Sequence, residues 1–435
     1  MTPSVALLSL EQTPPITVPL RFFLTAPLFA LAAVLLALWL GPEAMSSRWQ
    51  PGVLAFTHLF TLGYLSMVMF GAMLQMLPVL VGVQLRRPLI VARVIHGLLV
   101  VGTLLLVTAF LLNTAIWFVG AGLVLALAIG GFVVVVGLAL WRAGSVHETV
   151  VAMRLALLAL AITLILGLWL VLTHLDSSLG SRMLLVDLHL GWGLLGWMGL
   201  LVVGVAYQVV PMFQITAEYH PQLRRWLPWV AVILLATWSL LFSQAVELAW
   251  LLALGLAMVF VVFALVTLRL QRRRLRRLPD VTVDFWYLGL ACLLAAAGLW
   301  LLQQFSPGLL SPHLFQFWWW LLVVVGVGVS LISGMLYKIV PFLVWLHLNN
   351  RMQQAGQWQG DLPTMRQLIT GRQARRHLYL HAAAVISLLS GMQWAWMFYP
   401  AFMLLFAAFA VQWWNLFSAM RLYRQVLHKA GIQGV

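Results

Sequence analysis

Eleven histidines are distributed along a chain that has few other ionisable groups, and several of them fall inside long apolar stretches. An imidazole within a membrane-length segment is costly unless it faces a cavity or a partner, so each such histidine is a candidate site. Neutral imidazole is a good ligand for haem iron and for copper. We predict cofactor-binding histidines in two groups, an outer group of His58, His189 and His313 and an inner pair of His96 and His381.

Simpler roles for these histidines stay open, because an imidazole near a membrane interface can be hydrated or bonded to a backbone carbonyl. The two segments that contain His58 and His189 are related by an internal repeat, described below, with an interval of 133 residues. In that alignment His58 corresponds to Gly191 and His189 to Phe56, so His58 and His189 are not equivalent positions of the repeat. Five further histidines lie at predicted helix ends or in loops and are expected to be solvated: His174, His220, His347, His377 and His428.

The elements that must position these residues are membrane helices. Hydrophobic residues make up 63% of the chain and charged residues 8%, which excludes a soluble domain with a charged surface. Apolar runs long enough to cross a bilayer core of about 30 Å recur along the chain. The sequence predicts an all-α polytopic membrane protein with twelve helices, over residues 20–40, 53–80, 88–111, 114–141, 149–174, 183–213, 227–244, 247–270, 284–303, 315–345, 378–396 and 399–423.

The net charge of +15 is placed mainly on one side of the predicted helices. By the positive-inside rule both termini are cytoplasmic, and an anionic inner leaflet of the lipid bilayer is a sufficient partner for the arginines, so we predict no nucleic-acid binding. The single cysteine, Cys292, excludes a disulfide framework and a thiolate zinc site, and is expected to be a small buried side chain. No hydrolytic or nucleotide-binding motif is present, so no catalytic residue is predicted.

A motif of two glycines, a polar residue and a proline occurs three times, with the pattern G-x7-G-x3-[Q/K]-x2-P. Its first glycines are Gly63, Gly196 and Gly326, at intervals of 133 and 130 residues. Self-similarity at a nearly fixed period indicates an architecture of repeats. We predict a cytoplasmic lead (1–19), three repeats of four helices (20–142, 149–275 and 283–425), a cytoplasmic insertion in the third repeat (346–376) and a cytoplasmic tail (426–435).

The polar residue of the motif is Gln75, Gln208 or Lys338. One interpretation is structural, because a polar side chain one turn before a proline can help to satisfy the carbonyl that the proline frees. The other interpretation is a polar ring at the centre of the repeats, used for the passage of protons or ions. The sequence leaves both open.

The second predicted helix resembles that of the NnrS family, bacterial inner-membrane proteins that contain haem and copper and are tied to nitric oxide stress and denitrification. His58, Gly63, Gly71, Pro78 and Gly82 fit every step of the pattern H-x4-G-x7-G-x6-P-x3-G, and residues 20–39 resemble the first helix of that family. The family has a further histidine and a glutamate at the positions of Phe56 and Leu59, so the chain is a divergent or sister member by this resemblance.

The twelve predicted helices in a pseudo-threefold arrangement, with both termini inside, are more distantly similar to subunit I of the haem–copper oxidases. That comparison limits the chemistry, because predicted helix 7 has no histidine and predicted helix 10 lacks the paired histidines that hold both haems. Whether the chain is an enzyme is left open, and oxygen reduction at a binuclear centre is not expected.

Two functions from different classes follow. The resemblance implies a membrane protein of the bacterial inner membrane that holds a b-type haem, with copper as a further metal, near the periplasmic face through His58 and His189. Its partner would be nitric oxide or another small gas. The alternative is a cofactor-free transporter or channel that uses the core of the three repeats. The sequence marks no surface for a protein partner, and an assembly subunit of a larger complex stays open as a third function.

Overall fold

The structure is a computed structural model that describes residues 13–45, 47–276, 278–356, 362–391 and 394–432. Among these residues the secondary structure is helical throughout, with no strand. The predicted all-α class is therefore confirmed. Residues 1–12 of the predicted lead and 433–435 of the predicted tail lie outside the described residues.

Twelve long helices run through the described part of the chain, and we number them in chain order. They are α1 (Thr17–Leu40), α2 (Pro51–Val81), α3 (Pro88–Leu112), α4 (Ala115–Arg142), α5 (Glu148–Leu175), α6 (Arg182–Gln214), α7 (Pro221–Leu241), α8 (Val246–Arg272), α9 (Val281–Phe305), α10 (Pro312–Gln354), α11 (Gly371–Gly391) and α12 (Phe398–Lys429). Each overlaps one of the predicted segments.

Ten of these helices are long and apolar enough to cross a membrane, which indicates a multi-pass membrane protein. The exceptions among the twelve are α7 and α11, whose first turns carry arginines, such as Arg224 and Arg225 in α7. Both helices begin before the predicted apolar segments, α7 at Pro221 and α11 at Gly371. The reason is that a helix can start in polar sequence outside an apolar core, where hydropathy gives no signal.

The polar insertion predicted over 346–376 is largely helical where it is described. The helix α10 continues through its first residues to Gln354, and α11 begins within it at Gly371. A short helix, Met365–Leu368, lies between them and has a capping box formed by Thr364 and Gln367. Residues 357–361 lie outside the described residues.

The helices α2, α6 and α10 each contain a long π-helical segment, at Leu59–Ser66, Gly191–Gly199 and Leu321–Val329. Each segment includes the first glycine of the repeated motif. A π-helical turn inserts a residue into the ladder of backbone hydrogen bonds, and such segments are frequent at functional sites. The three helices that carry the motif thus share the same backbone irregularity at the same place.

The chain divides into two compact units. In the described residues, unit 1 comprises residues 13–14, 72–276 and 293–305, and unit 2 comprises residues 15–71, 278–292 and 306–432 with the gaps given above. In unit 1, α5 packs on α6 and α7 packs on α8. In unit 2, α12 contacts α1, α10 and α11.

In unit 1, the motif glycines of α6 lie directly against α5. A Cβ added at Gly196 would lie 2.8 Å from the Cβ of Ala159, and a Cβ added at Gly204 would lie 2.5 Å from the Cβ of Ala152. Both distances are far shorter than ordinary van der Waals contact, so only glycine allows the two helices to come this close.

In unit 2, the motif glycines make the same kind of contact. Gly63 and Gly71 of α2 lie against Phe29 and Phe22 of α1, where an added Cβ would approach side-chain carbons to 2.6 and 2.8 Å. The corresponding contacts of α10 with α9 join Gly326 to Cys292 and Gly334 to Phe285. Cys292 is buried in this contact, as expected for a small apolar side chain.

Candidate functional site

The half-buried His58 lies in the first turns of α2, where its ring is held by its own helix. The Nδ1 atom lies 2.8 Å from the carbonyl oxygen of Leu54, one turn earlier. A carbonyl can only accept, so Nδ1 must carry the hydrogen and Nε2 carries the lone pair. The simple role anticipated for interfacial histidines, a bond to a backbone carbonyl, is therefore present, and it leaves the ring in the form that ligates metals through Nε2.

The half-buried His189 of α6 is held by the neighbouring helix α5. Its Nδ1 atom donates to the carbonyl oxygen of Thr163 at 3.0 Å. Its ring also lies against Gly167, where an added Cβ would be 3.1 Å from Cε1. The ring thus occupies a depression on α5 that a larger residue would fill, and its tautomer is the same as that of His58.

The other predicted ligands are spread over the two units. His313 is the second residue of α10, two positions after the capping residue Ser311, and His96 lies half-buried in α3. His58, His313 and His381 belong to unit 2, and His189 and His96 belong to unit 1. Within the described residues, no three or more His, Cys, Asp or Glu side chains are grouped so that they could hold a metal ion.

The most strongly buried of the predicted ligands is His381 of α11, and it is accompanied by a histidine that the sequence analysis assigned to solvent. His377 and His381 both have 0% of their surface exposed. The expectation that His377 is solvated was wrong, because the first turns of α11 pack into unit 2 although they are polar in sequence. The two ring centroids are 6.0 Å apart.

Each of these two rings is anchored on α10 through one nitrogen. The Nδ1 atom of His377 lies 3.0 Å from the hydroxyl of Tyr337, and the Nε2 atom of His381 lies 2.9 Å from the hydroxyl of Ser330. The amide of Asn415 donates to the Tyr337 hydroxyl at 3.0 Å. The remaining nitrogens, Nε2 of His377 and Nδ1 of His381, have no hydrogen-bond partner among the described residues.

A second buried hydrogen-bonded group lies beside α10 within the same unit. The hydroxyl of Tyr64 is 2.9 Å from that of Ser333, and the side-chain amide of Gln412 bonds to both hydroxyls, donating at 2.8 and 3.1 Å. Ser330, Ser333 and Tyr337 are spaced i, i+3 and i+7, so they share one face of α10. We call these residues with their partners the polar column. Its members are Tyr64, Ser330, Ser333, Tyr337, His377, His381, Gln412 and Asn415.

Of this column, only His381 was predicted from sequence as a site residue. The signal that could have revealed the rest was present, because polar residues at i, i+3 and i+7 in an apolar helix mark one buried face, and the spacing of His377 and His381 puts both rings on one face of α11. Hydropathy averaged over a window hides both patterns.

Comparison with known proteins gives no family. No protein-family model matches the chain, and no curated protein matches it.

His58 and His381 lie at different levels along α10. Near His58, the ring of Phe56 contacts that of Trp320 at 5.1 Å, whereas His381 bonds to Ser330. Those two points on α10 are ten residues apart, on either side of its π-helical segment Leu321–Val329.

The polar residues of the repeated motif have different surroundings. The Nζ atom of Lys338 forms an ion pair with Asp280, at the start of α9, with an N–O distance of 2.7 Å. Gln75 is 8% exposed and its Oε1 atom has no partner among the described residues, while Gln208 is half-buried. Lys338 thus bonds to a carboxylate, whereas the structural interpretation named the carbonyl that the proline frees, so both interpretations of the three polar residues stay predictions.

Proposed function

We propose that the chain is a haem-binding integral membrane protein of the NnrS kind, which binds or responds to nitric oxide or a similar small gas, or supports a respiratory redox process. His58 and His189 are the proposed ligands near the periplasmic face, and His313, His96 and His381 are the further candidates. The proposed cofactor is a b-type haem, with copper as a further metal.

The observation that carries this proposal is the hydrogen bond of His58. Donation from Nδ1 to the Leu54 carbonyl fixes the tautomer and orientation of the ring, and histidines that ligate metals commonly donate their other ring N–H in this way. His189 has the equivalent bond to Thr163. The donor set therefore suits an iron porphyrin, since a neutral imidazole with a fixed Nε2 lone pair could bind the iron.

Each residue around His58 would have one role in holding the haem. Bound haem would supply an iron atom that can take up a small diatomic gas or exchange one electron. His58 would hold that iron through Nε2, and the Leu54 carbonyl would keep the ring from rotating. Phe56, Phe60 and Trp320 form an aromatic group beside the first turns of α2, with ring centroids 5.1 to 6.0 Å apart, and would keep water from that side of α2.

We also propose the finer architecture predicted from sequence, with twelve membrane-crossing helices in three repeats of four and with both termini in the cytoplasm of a bacterium. The glycine contacts support it. In each repeat, the two motif glycines contact two residues of the preceding helix that are seven positions apart. These contacted residues are 22 and 29 in α1, 152 and 159 in α5, and 285 and 292 in α9. These pairs follow one another at nearly the same interval as the motif itself.

The test is an absorption spectrum of the full chain purified in detergent from cells supplied with haem, oxidised and then reduced with dithionite. We expect a Soret band and a reduced α-band, both lost or shifted in His58→Ala. The matched control is His347→Ala, because His347 is also half-buried and its Nδ1 atom bonds to the carbonyl of Leu343, one turn earlier, at 2.9 Å.

Two results would decide against the proposal. A featureless spectrum from folded protein would exclude haem, and the alternative function, a cofactor-free transporter or channel, would take its place. A spectrum that His347→Ala changes as much as His58→Ala would show that the proposed ligand is wrong.

A further inference from the structure

The end of unit 1 at which α7 begins and α8 ends carries an excess of arginine. Residues 215–225 and 266–276 contain seven arginines and one glutamate, an excess of six positive charges. The corresponding segments 133 residues earlier, 82–92 and 133–143, contain three arginines and no acidic residue. The positive-inside rule predicts basic residues at this end of each helix pair, but it does not account for the larger number beside α7 and α8.

The structure holds the two arginine-rich segments side by side. The helices α7 and α8 pack against each other and are joined by residues 242–245 alone, so they lie antiparallel. The hydroxyl of Tyr219, just before α7, is 3.0 Å from that of Thr267, near the end of α8. The backbone N–H of Leu275 donates to the carbonyl oxygen of Ile215 at 3.0 Å. The beginning of α7 and the end of α8 therefore form one basic surface.

This surface lacks enough negative charge of its own. Glu218 is the only carboxylate in the two segments, and it is paired with Arg224 at an N–O distance of 3.1 Å. Arg269 and Arg272, at the spacing i, i+3 on α8, are both exposed, and like charges at this spacing repel each other. A bound anion would relieve that repulsion. One phosphate would offset only a small part of the excess, so a ligand with two phosphates suits the surface better.

The exposed face of α8 that leads to these arginines is apolar. Met258, Val262 and Leu265 are exposed and precede Arg269 and Arg272 at the spacing i, i+4, i+7, i+11 and i+14, which places all five on one stripe of the helix. An exposed apolar stripe on a helix that is apolar enough to cross a membrane suits contact with acyl chains. The headgroups of those lipids would lie where the stripe ends, at the two arginines.

The first turns of α7 mark the same level by a different feature. Trp226 and Trp229 are exposed, and the guanidinium of Arg225 lies over the ring of Trp226 at 5.2 Å from its centroid. Exposed tryptophans of membrane helices are enriched at the level of the lipid headgroups. The surface thus combines arginines with an indole and an apolar stripe, which match the headgroup and the acyl chains of a lipid.

We propose that the beginning of α7 and the end of α8 form a binding site for one phospholipid with two phosphate groups, of the diphosphatidylglycerol (cardiolipin) class. Arg225, Arg269 and Arg272 would bind the phosphates, and the acyl chains would lie along the exposed stripe of α8. A lipid fits better than a soluble anion, because only a lipid also covers the stripe. This site is more specific than the general attraction to an anionic leaflet predicted from sequence, and it does not depend on the proposed haem site.

The experiment is native mass spectrometry of the delipidated full chain in detergent, titrated with cardiolipin and separately with phosphatidylglycerol. We expect one cardiolipin per chain, bound at least about tenfold more tightly than phosphatidylglycerol, because the second phosphate adds a second charge. This comparison uses only the wild-type chain, so it does not depend on how well any variant folds.

Two triple variants then locate the site. The first combines Arg225→Gln, Arg269→Gln and Arg272→Gln, and it should lower the affinity for cardiolipin at least about tenfold. The control combines Arg86→Gln, Arg87→Gln and Arg142→Gln, which removes the same charge from exposed positions of the corresponding segments, and it should change the affinity less than about twofold. All six side chains are exposed, so both variants should melt with the wild-type chain.

The possible outcomes distinguish a specific site from attraction by net charge. An equal loss of affinity in both triple variants would overturn the proposed site, because it would show that only the total charge matters. Phosphatidylglycerol binding as tight as that of cardiolipin would overturn the preference for two phosphates. Displacement of cardiolipin by an equal concentration of inorganic pyrophosphate would overturn the lipid as the ligand, since the acyl chains would then contribute nothing. An unchanged haem spectrum in the first triple variant would show that the two sites are separate.

Discussion

The close contact of α5 with α6 predicts a large effect from a single methyl group. In Gly204→Ala, the new Cβ would lie 2.5 Å from the Cβ of Ala152 and 3.6 Å from its Cα, so the helices must separate by about 1 Å at this point to reach an ordinary contact. Overpacking of this kind costs about 1–3 kcal/mol. The helical preference of alanine over glycine returns at most about 1 kcal/mol.

The assay is thermal unfolding of the detergent-purified chain, followed by tryptophan fluorescence. A change of 1 kcal/mol shifts the melting temperature by about 2–4 °C in an unfolding unit of 150–250 residues, which is the size of unit 1. We therefore expect Gly204→Ala to melt several degrees lower. Gly97→Ala, in α3, is the control and should be neutral or slightly stabilising, since an added Cβ there has no atom within 4 Å.

The reciprocal exchange tests the cause. In the double variant Ala152→Gly with Gly204→Ala, the methyl group moves from α5 to α6 across the same contact, so the melting temperature should return most of the way to that of the wild-type chain. Two results would contradict this prediction: a melting temperature of Gly204→Ala equal to that of Gly97→Ala, or a double variant whose melting temperature is no higher than that of Gly204→Ala. Either result would mean that the contact of α5 with α6 is looser than described.

Two further predictions concern buried polar groups. Tyr64→Phe should lower the free energy of unfolding by about 1–3 kcal/mol, because it leaves the partners of a buried hydroxyl unsatisfied, whereas Tyr379→Phe, at a side chain that is 62% exposed, should have no effect on thermal unfolding. Lys338→Gln should cost less than about 1 kcal/mol, since its ion pair with Asp280 is partly exposed to solvent. A flux assay in vesicles would contradict this structural role of Lys338 if Lys338→Gln abolished ion passage at unchanged stability.

Much of the fold was predictable from sequence because hydropathy reports directly on membrane helices. Each predicted segment overlaps a helix, ten of these helices are long and apolar enough to cross a membrane, and the bounds differ at the helix ends. The helix α10, for example, runs to Gln354, nine residues beyond the predicted end at 345. Helical hydrogen bonding continues into polar sequence, whereas hydropathy detects only the apolar part.

The candidate site was less predictable. Sequence marks histidines but does not say which nitrogen is bonded or which ring is buried. His377 follows Arg375 and Arg376, a context that predicts a solvated residue, yet it is wholly buried. Its burial depends on α10 and α12, which contribute Tyr337 and Asn415 from positions 40 residues before it and 38 after it. Contacts between distant parts of the chain leave no trace in local composition.

The polar column distinguishes the third motif helix from the other two. Ser330 and Ser333 of α10 correspond, at the 130-residue interval, to Leu200 and Val203 of α6. Both of these are buried and apolar, so α6 keeps the glycine contacts of α10 and has Tyr207 at the position of Tyr337, but it lacks the two serines.

The same holds for α2, where Met67 and Phe70 occupy the corresponding positions and are buried. The glycines, whose role is close packing, recur in all three helices, whereas the two serines occur only in α10. A requirement of the fold would apply to every copy of the motif. Polar residues that only one copy buries, at the cost of desolvating them, indicate a function confined to that copy. Substitutions along this face of α10 should therefore reduce function more than they reduce stability. The first variant to measure is Ser330→Ala, which removes only the hydrogen-bond partner of His381.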